Sequence, residues 1–186
     1  TAANPRSLSG VPRIFEKIHA RVMAGVDQAP ASRQRLFNKA IEVGIQRARL
    51  QQDGKSLPIL MRLQSALFER LIYSKLRAGI LGSKIEFLTS GAAPISKDLM
   101  EFYYAINLPI YEGYGLTETC SPITLNLPGA YKIGTVGRPL PGSEVKIAED
   151  GEILLKGPSV FDYYYKNQEA TDKAINEDGW FMSGDI

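Results

Sequence analysis

The sequence holds one cysteine, Cys120, and one histidine, His19. A lone cysteine excludes an internal disulfide framework and a multi-cysteine zinc site. With no Ser–His or Cys–His pairing in view, a protein nucleophile is not expected. Cys120 reads as a packing residue. His19 lies off the apolar stripe around it and reads as exposed. Long apolar runs are also missing, and none could span a membrane. No charged-then-apolar leader opens the chain, and a cytoplasmic location is the expectation. What is present is ordinary globular material. The 186 residues are 44% apolar, enough for one large domain or one and a half small ones.

The net charge of +2 hides an asymmetry. Residues 1–90 carry 15 Lys/Arg against 6 Asp/Glu, and the remainder 7 against 14. A basic half suits an anionic partner. No nucleic-acid motif accompanies it, so nucleic acid is not expected. Solvated helix faces are the plain account of the excess. Anionic lipid, met as a peripheral membrane contact, is the other, with Arg47 and Arg49 as the residues whose charge reversal would test it.

Residues 1–10 read as loop. Pro12 suits the first turn of a helix, along which Ile14, Phe15, Ile18 and Val22 form an apolar stripe. Pro30 breaks the chain, and Ser32 is the expected cap of the next helix. That helix runs to about Gln51 with Leu36, Phe37, Ala40, Ile41, Ile45 and Ala48 on one face and arginines opposite. A third helical pattern spans Leu60–Leu76 through Leu63, Leu67 and Leu71, and reads as packing. Ile85–Thr89 reads as a buried strand. It is followed by the small-residue loop Ser90-Gly91-Ala92-Ala93-Pro94-Ile95-Ser96, with Ser96 capping a helix over 97–105. Ile106–Ile110 is a second strand. After 128, short strands around Asp150-Gly151 make a hairpin in a small β-rich region.

The second strand leads into Tyr111-Glu112-Gly113-Tyr114-Gly115-Leu116-Thr117-Glu118-Thr119. A strand ending in a glycine-rich turn places its backbone at the carboxyl edge of a sheet, where α/β proteins bind ligands. Gly113 and Gly115 would admit a flat or charged group, and Tyr114 offers a ring face. Thr117 can donate to a phosphate, and Glu118 is a hard oxygen ligand of the kind Mg²⁺ takes beside phosphates. These residue types suggest a nucleotide and a metal. They equally fit a turn entering a helix, with Thr117 as N-cap and Glu118 in the first turn.

The stretch Tyr-Gly-x-Thr-Glu resembles the central motif of the adenylate-forming superfamily of acyl-CoA synthetases, luciferases and peptide-synthetase adenylation domains. Four further stretches resemble that family in the same order. They are Val-Pro-Arg-x-Phe-Glu-Lys-Ile at 11–18, similar to long-chain acyl-CoA synthetases, Ser-Gly-Ala-Ala-Pro at 90–94, Gly-Arg-Pro-x-Pro-Gly at 137–142, and Gly-Trp-Phe-Met-Ser-Gly-Asp at 179–185. Ser183 stands where the family usually has threonine. The resemblance implies an α/β fold, part of a parallel or mixed sheet flanked by helices, then a small β-rich subdomain of distorted-barrel type. The expected division is 1–127 and 128–186.

The same resemblance implies ATP-dependent activation of a long-chain fatty acid to an acyl-adenylate, then transfer to coenzyme A. Glu118 would hold Mg²⁺ and Thr117 would bond the α-phosphate region. Tyr114 would stack on adenine, framed by Glu112, Gly113 and the backbone of Ser90, Gly91, Ala92 and Ala93, with Gly115 completing the turn. Asp185 would take the ribose hydroxyls. The tyrosines 163–165 would be surface structure leading into a helix over 168–175. The upstream phosphate loop and the small C-terminal domain of the family are not in the sequence. The segment alone is therefore expected not to complete the reaction. A carrier-protein acceptor, another carboxylic acid, or a non-catalytic nucleotide- or acyl-binding module are the alternatives.

Overall fold

The computed structural model describes residues 4–120 and 122–186. Helix α1 (Pro12–Asp27) opens with Pro12 in its first turn, where a missing N–H costs nothing. Phe15 is fully buried beneath it, while Ile14 is exposed. The long α2 (Ala31–Gln52) is preceded by Pro30 at the cap position, so the expected cap Ser32 lies inside its first turn. Gly44 lets α2 approach α5 (Lys97–Ala105), since a Cβ there would come within 2.5 Å of the Ala105 carbonyl.

Arg47, expected on a solvated face, is only 5% exposed. Its guanidinium donates to the carbonyls of Tyr104 and Ala105, each at 3.0 Å. Those carbonyls end α5, where cations are favoured. Arg77 from α4 (Ser74–Ile80) donates to the next carbonyl, Ile106, at 2.8 Å and pairs with Glu69. Arg49 is bonded through two nitrogens to the buried Glu101. Of the two arginines named for a lipid surface, Arg47 is buried and Arg49, though paired with Glu101, keeps a side chain 60% exposed.

The third helical pattern is a helix with a fault in it. It comprises α3 (Ile59–Phe68), a π turn (Glu69–Tyr73) and α4. The leucines expected to pack, Leu60, Leu63, Leu67 and Leu71, are exposed, while Phe68 and Tyr73 are buried and Met61, Ile72 and Leu76 pack against the core.

Strands β1 (Ser7–Gly10), β2 (Phe87–Ser90) and β3 (Ile110–Tyr114) pair in parallel. The expected loop over 1–10 is therefore strand from Ser7. Its first three residues lie outside the described ones. The chain then folds back through β4 (Thr124–Leu125) and β5 (Arg138–Pro139), both antiparallel, to give a five-stranded mixed sheet. β1 forms one margin of it, and β5, beyond residue 127, forms the other. Gly137 packs directly on β4; a Cβ would fall 2.1 Å from the Leu125 carbonyl carbon. The main core lies between this sheet and the helices, with Tyr103, Ile106, Leu108 and Ile110 fully buried.

The second sheet is antiparallel: β6 (Glu144–Ile147), β7 (Ile153–Lys156) and β8 (Phe181–Met182). The hairpin turns at Asp150-Gly151 as expected, with Gly151 at φ +95°. Among the described residues these strands form an open three-stranded sheet and do not close into a barrel. A second core of Ile123, Leu155 and Phe181, with Tyr114, Leu116 and Phe161 against it, joins the two sheets.

Candidate nucleotide and metal site

Parallel pairing sets the site. Because β2 and β3 run side by side, the loops that leave them emerge at the same edge. Ser90 stands opposite Glu112, and a Cβ on Gly91 would lie 3.6 Å from the Gly113 carbonyl. The Glu112 carboxylate points inward and is buried. Its Oε1 accepts the Ile95 N–H at 3.1 Å, tying the first loop to the second strand. Burial pushes this carboxyl above its usual range, and the Ile95 N–H works against the shift.

The first loop carries strain and an unsatisfied group. Ala92 is exposed at φ +66°, a conformation a residue with a Cβ holds only at some cost. Ala93 beside it is exposed. Ser90 is 4% exposed, and its Oγ has no hydrogen-bond partner among the described residues. Ser96 Oγ accepts the Leu99 N–H at 3.3 Å and starts α5 as expected.

The second loop settles the alternative of a helix capped by Thr117. Thr117–Thr119 is a single 3₁₀ turn stopped by Cys120 at φ +55°, and the next element is β4. Thr117 is exposed and Glu118 half-buried. A Cβ on Gly113 would lie 2.9 Å from Leu125 Cδ1 and 3.0 Å from the Thr124 carbonyl. Glycine there is thus required by β4 itself, while Gly115 sits half-buried beyond the strand end.

Asp185 reaches this edge from the second sheet. Its carbonyl accepts the Ile153 N–H at 2.9 Å, which lays the end of the chain beside β7. Its Oδ2 accepts the Tyr114 hydroxyl at 2.6 Å. Tyr114 is half-buried, and its hydroxyl is pushed up to about 12, chiefly by burial and then by the bond to Asp185. Two motifs separated by 71 residues in sequence therefore meet in one hydrogen bond.

The AMP-binding enzyme family matches residues 1–165. The chain belongs to that family. It is 40% identical over 182 residues to a long-chain-fatty-acid–CoA ligase of Mycobacterium tuberculosis, an alignment covering 98% of this chain and 30% of that protein. A peroxisomal long chain acyl-CoA synthetase of Arabidopsis thaliana is 34% identical over 200 residues, covering 100% of this chain and 27% of its own. The chain thus spans about 30% of the length of such relatives. Among solved structures, o-succinylbenzoate coenzyme A synthetase of Bacillus subtilis in complex with ATP and magnesium ion is 28% identical, with a TM-score of 0.51 over 66% of this chain and 26% of that one.

For an AMP-binding enzyme the donor set at this edge suits Mg²⁺ held beside phosphates. Among the described residues no group of three or more His, Cys, Asp or Glu gathers into a protein cage. Mg²⁺ is commonly held by one or two carboxylates with phosphate oxygens and water completing the shell. Glu118, half-buried at the loop edge, is a carboxylate that could serve as one of these.

Tyr164, to which the sequence assigns no site role, is a neighbour of Glu118. Its hydroxyl donates to Glu118 Oε1 at 2.8 Å, and this bond raises the tyrosine above its usual value. The triple tyrosine read as surface, and Tyr163 and Tyr165 are indeed 63% and 79% exposed. Three identical tyrosines in a row carry no sequence signal for which of them turns inward, and the segment is not a strand. Two other readings change. Cys120 is exposed rather than packed. His19 is half-buried, edge-on to Phe102 at 4.4 Å, and burial lowers its pKa.

Proposed function

We propose that this chain is the nucleotide-engaging part of a longer enzyme that activates a long-chain fatty acid with ATP and passes it to coenzyme A. The observation that carries the reading is the convergence of Tyr114, Glu118 and Asp185 at the carboxyl edge of β3, in a chain that belongs to the AMP-binding enzymes. Glu118 holds Mg²⁺ against the phosphates. Thr117 donates to the α-phosphate. Tyr114 presents its ring to adenine. Ser90, Gly91, Ala92, Ala93, Glu112, Gly113 and Gly115 frame that pocket, and Asp185 takes the ribose hydroxyls, a two-acceptor match to two donors.

Residues 1–127 and 128–186 serve as two parts of one active domain, working in the cytoplasm. Activation needs orientation and charge neutralisation and no protein nucleophile, which agrees with the isolated Cys120 and His19. Long-chain preference is supported by the names of the relatives and by the motif at 11–18.

The test is ATP–pyrophosphate exchange by the whole enzyme that carries this segment, with long-chain acids. Glu118→Ala should lower the exchange roughly 100-fold, as expected for loss of a catalytic metal worth several kcal/mol. Exchange that survives the substitution unchanged removes Glu118 from the metal. No exchange with any acid favours a binding module. The 186-residue segment alone should form no acyl-CoA.

A further inference from the structure

One short segment grips Glu118 twice. The Glu118 carbonyl accepts the Phe161 N–H at 2.7 Å, and Oε1 accepts the Tyr164 hydroxyl at 2.8 Å. Tyr164 is itself fixed. The Phe161 ring lies 4.6 Å from its ring at 60°, and Phe161 stands edge-on to the buried Phe181 at 5.7 Å. The Tyr164 N–H donates to Thr171 Oγ1 at 3.0 Å, and Thr171 is buried in α6 (Gln168–Ala174). A phenylalanine would serve the ring contact equally well. What the hydroxyl adds is the bond to Glu118.

We propose that Tyr164 is the positioning residue of the Glu118 carboxylate, holding Oε1 so that Oε2 is the oxygen presented to a divalent cation. This rests on the reading of Glu118 as the metal-holding group. A glutamate turning freely must lose its rotamer freedom each time a cation binds. Fixed by a donor that is packed on its own side, it has already lost it. Hydrogen-bond donors behind metal-binding carboxylates orient them in this way, and removing such a donor typically costs 10–100-fold in affinity. Because Tyr164 belongs to the segment leading into α6 and Glu118 to the turn between β3 and β4 of the main sheet, the bond also makes metal affinity depend on how the second sheet is seated.

The measurement is Mn²⁺ binding to the whole enzyme with a non-hydrolysable ATP analogue, followed by calorimetry. Tyr164→Phe should weaken Mn²⁺ about 10-fold. It should raise the Mg²⁺ concentration needed for half-maximal exchange by the same factor and leave the fatty-acid KM unchanged. Tyr165→Phe, at an exposed neighbour, should move neither. If Glu118→Ala abolishes Mn²⁺ binding but Tyr164→Phe changes it less than about twofold, the proposal falls and the metal reading stands. If Glu118→Ala leaves Mn²⁺ binding intact, the metal reading falls and takes the proposal with it. If Tyr164→Phe weakens fatty acid and Mn²⁺ alike and lowers the thermal midpoint, Tyr164 is a structural residue only and the proposal is overturned.

Discussion

The two ends of the β2–α5–β3 unit are built to different ends. Where α5 finishes, its last carbonyls are met by two guanidiniums, Arg47 from α2 and Arg77 from α4. Where α5 begins, the loop before it is exposed, holds Ala92 in a left-handed conformation and leaves the Ser90 hydroxyl unpaired. One end spends charge on securing the helix. The other leaves Ser90 and Ala92 at the edge where the family motifs gather, although Arg47 Nε, the Tyr104 hydroxyl and Asn107 at φ +57° give the first end unmet groups and a left-handed residue of its own. Strain and unmet hydrogen bonds persist only where the surroundings hold them; the difference between the two ends lies in exposure, since Ala92 is exposed while Arg47 and Tyr104 are buried.

The comparison breaks most readily at the secured end. Arg47→Met keeps the stem but removes two charged hydrogen bonds and strands the buried Ala105 carbonyl, while the Tyr104 carbonyl keeps the Asn107 N–H at 3.1 Å. With hydrogen bonds to a charged group worth ~1.5–3 kcal/mol each, it should cost about 3 kcal/mol. The urea midpoint would report it, and an unchanged midpoint would mean the guanidinium only fills space. A smaller effect is expected at the open end. Ser96→Ala removes the cap of α5 and should cost about 1 kcal/mol, read by the same midpoint. The smallest effect sharpens the contrast through pH.

Glu112 is the buried carboxyl under the open loop, with its pKa raised by burial. The unfolded chain releases this proton first as pH rises from about 4. The stabilising contribution of protonated Glu112 is therefore full below the unfolded value and lost as pH rises through the folded one. Glu112→Gln should flatten that part of the stability profile above about pH 4. Parallel profiles for the two proteins would show that Glu112 titrates as it does in the unfolded chain.

The same division governs what the sequence discloses. The loops at 90–96 and 111–119 are legible because small residues after an apolar run constrain the backbone locally. Asp185 is legible by its motif, though nothing in the spacing foretells that Tyr114 would bond it. Arg47 is illegible, because the carbonyls it serves belong to a helix 57 residues downstream. The segment from Ile59 to Phe68 offers two apolar rows, and periodicity cannot choose between them. The core took Met61 and Phe68 and left Leu60, Leu63 and Leu67 outside. The strand at Ser7–Gly10 is short and polar, and only its partner 80 residues on makes it a strand.

The margin of the main sheet at β1 has a practical consequence. Along it runs strand backbone with no further strand beyond it among the described residues, and the leucines of α3 stand bare elsewhere on the surface. Unpaired strand edges and uncovered leucines are adhesive. A preparation of this polypeptide by itself will therefore tend to self-associate as its concentration rises. The particle mass it shows by light scattering will measure the stickiness of those surfaces, not the subunit number of any working enzyme. Carrier additives or a lysine at the exposed Ser7 would be the sensible first adjustment to such a preparation.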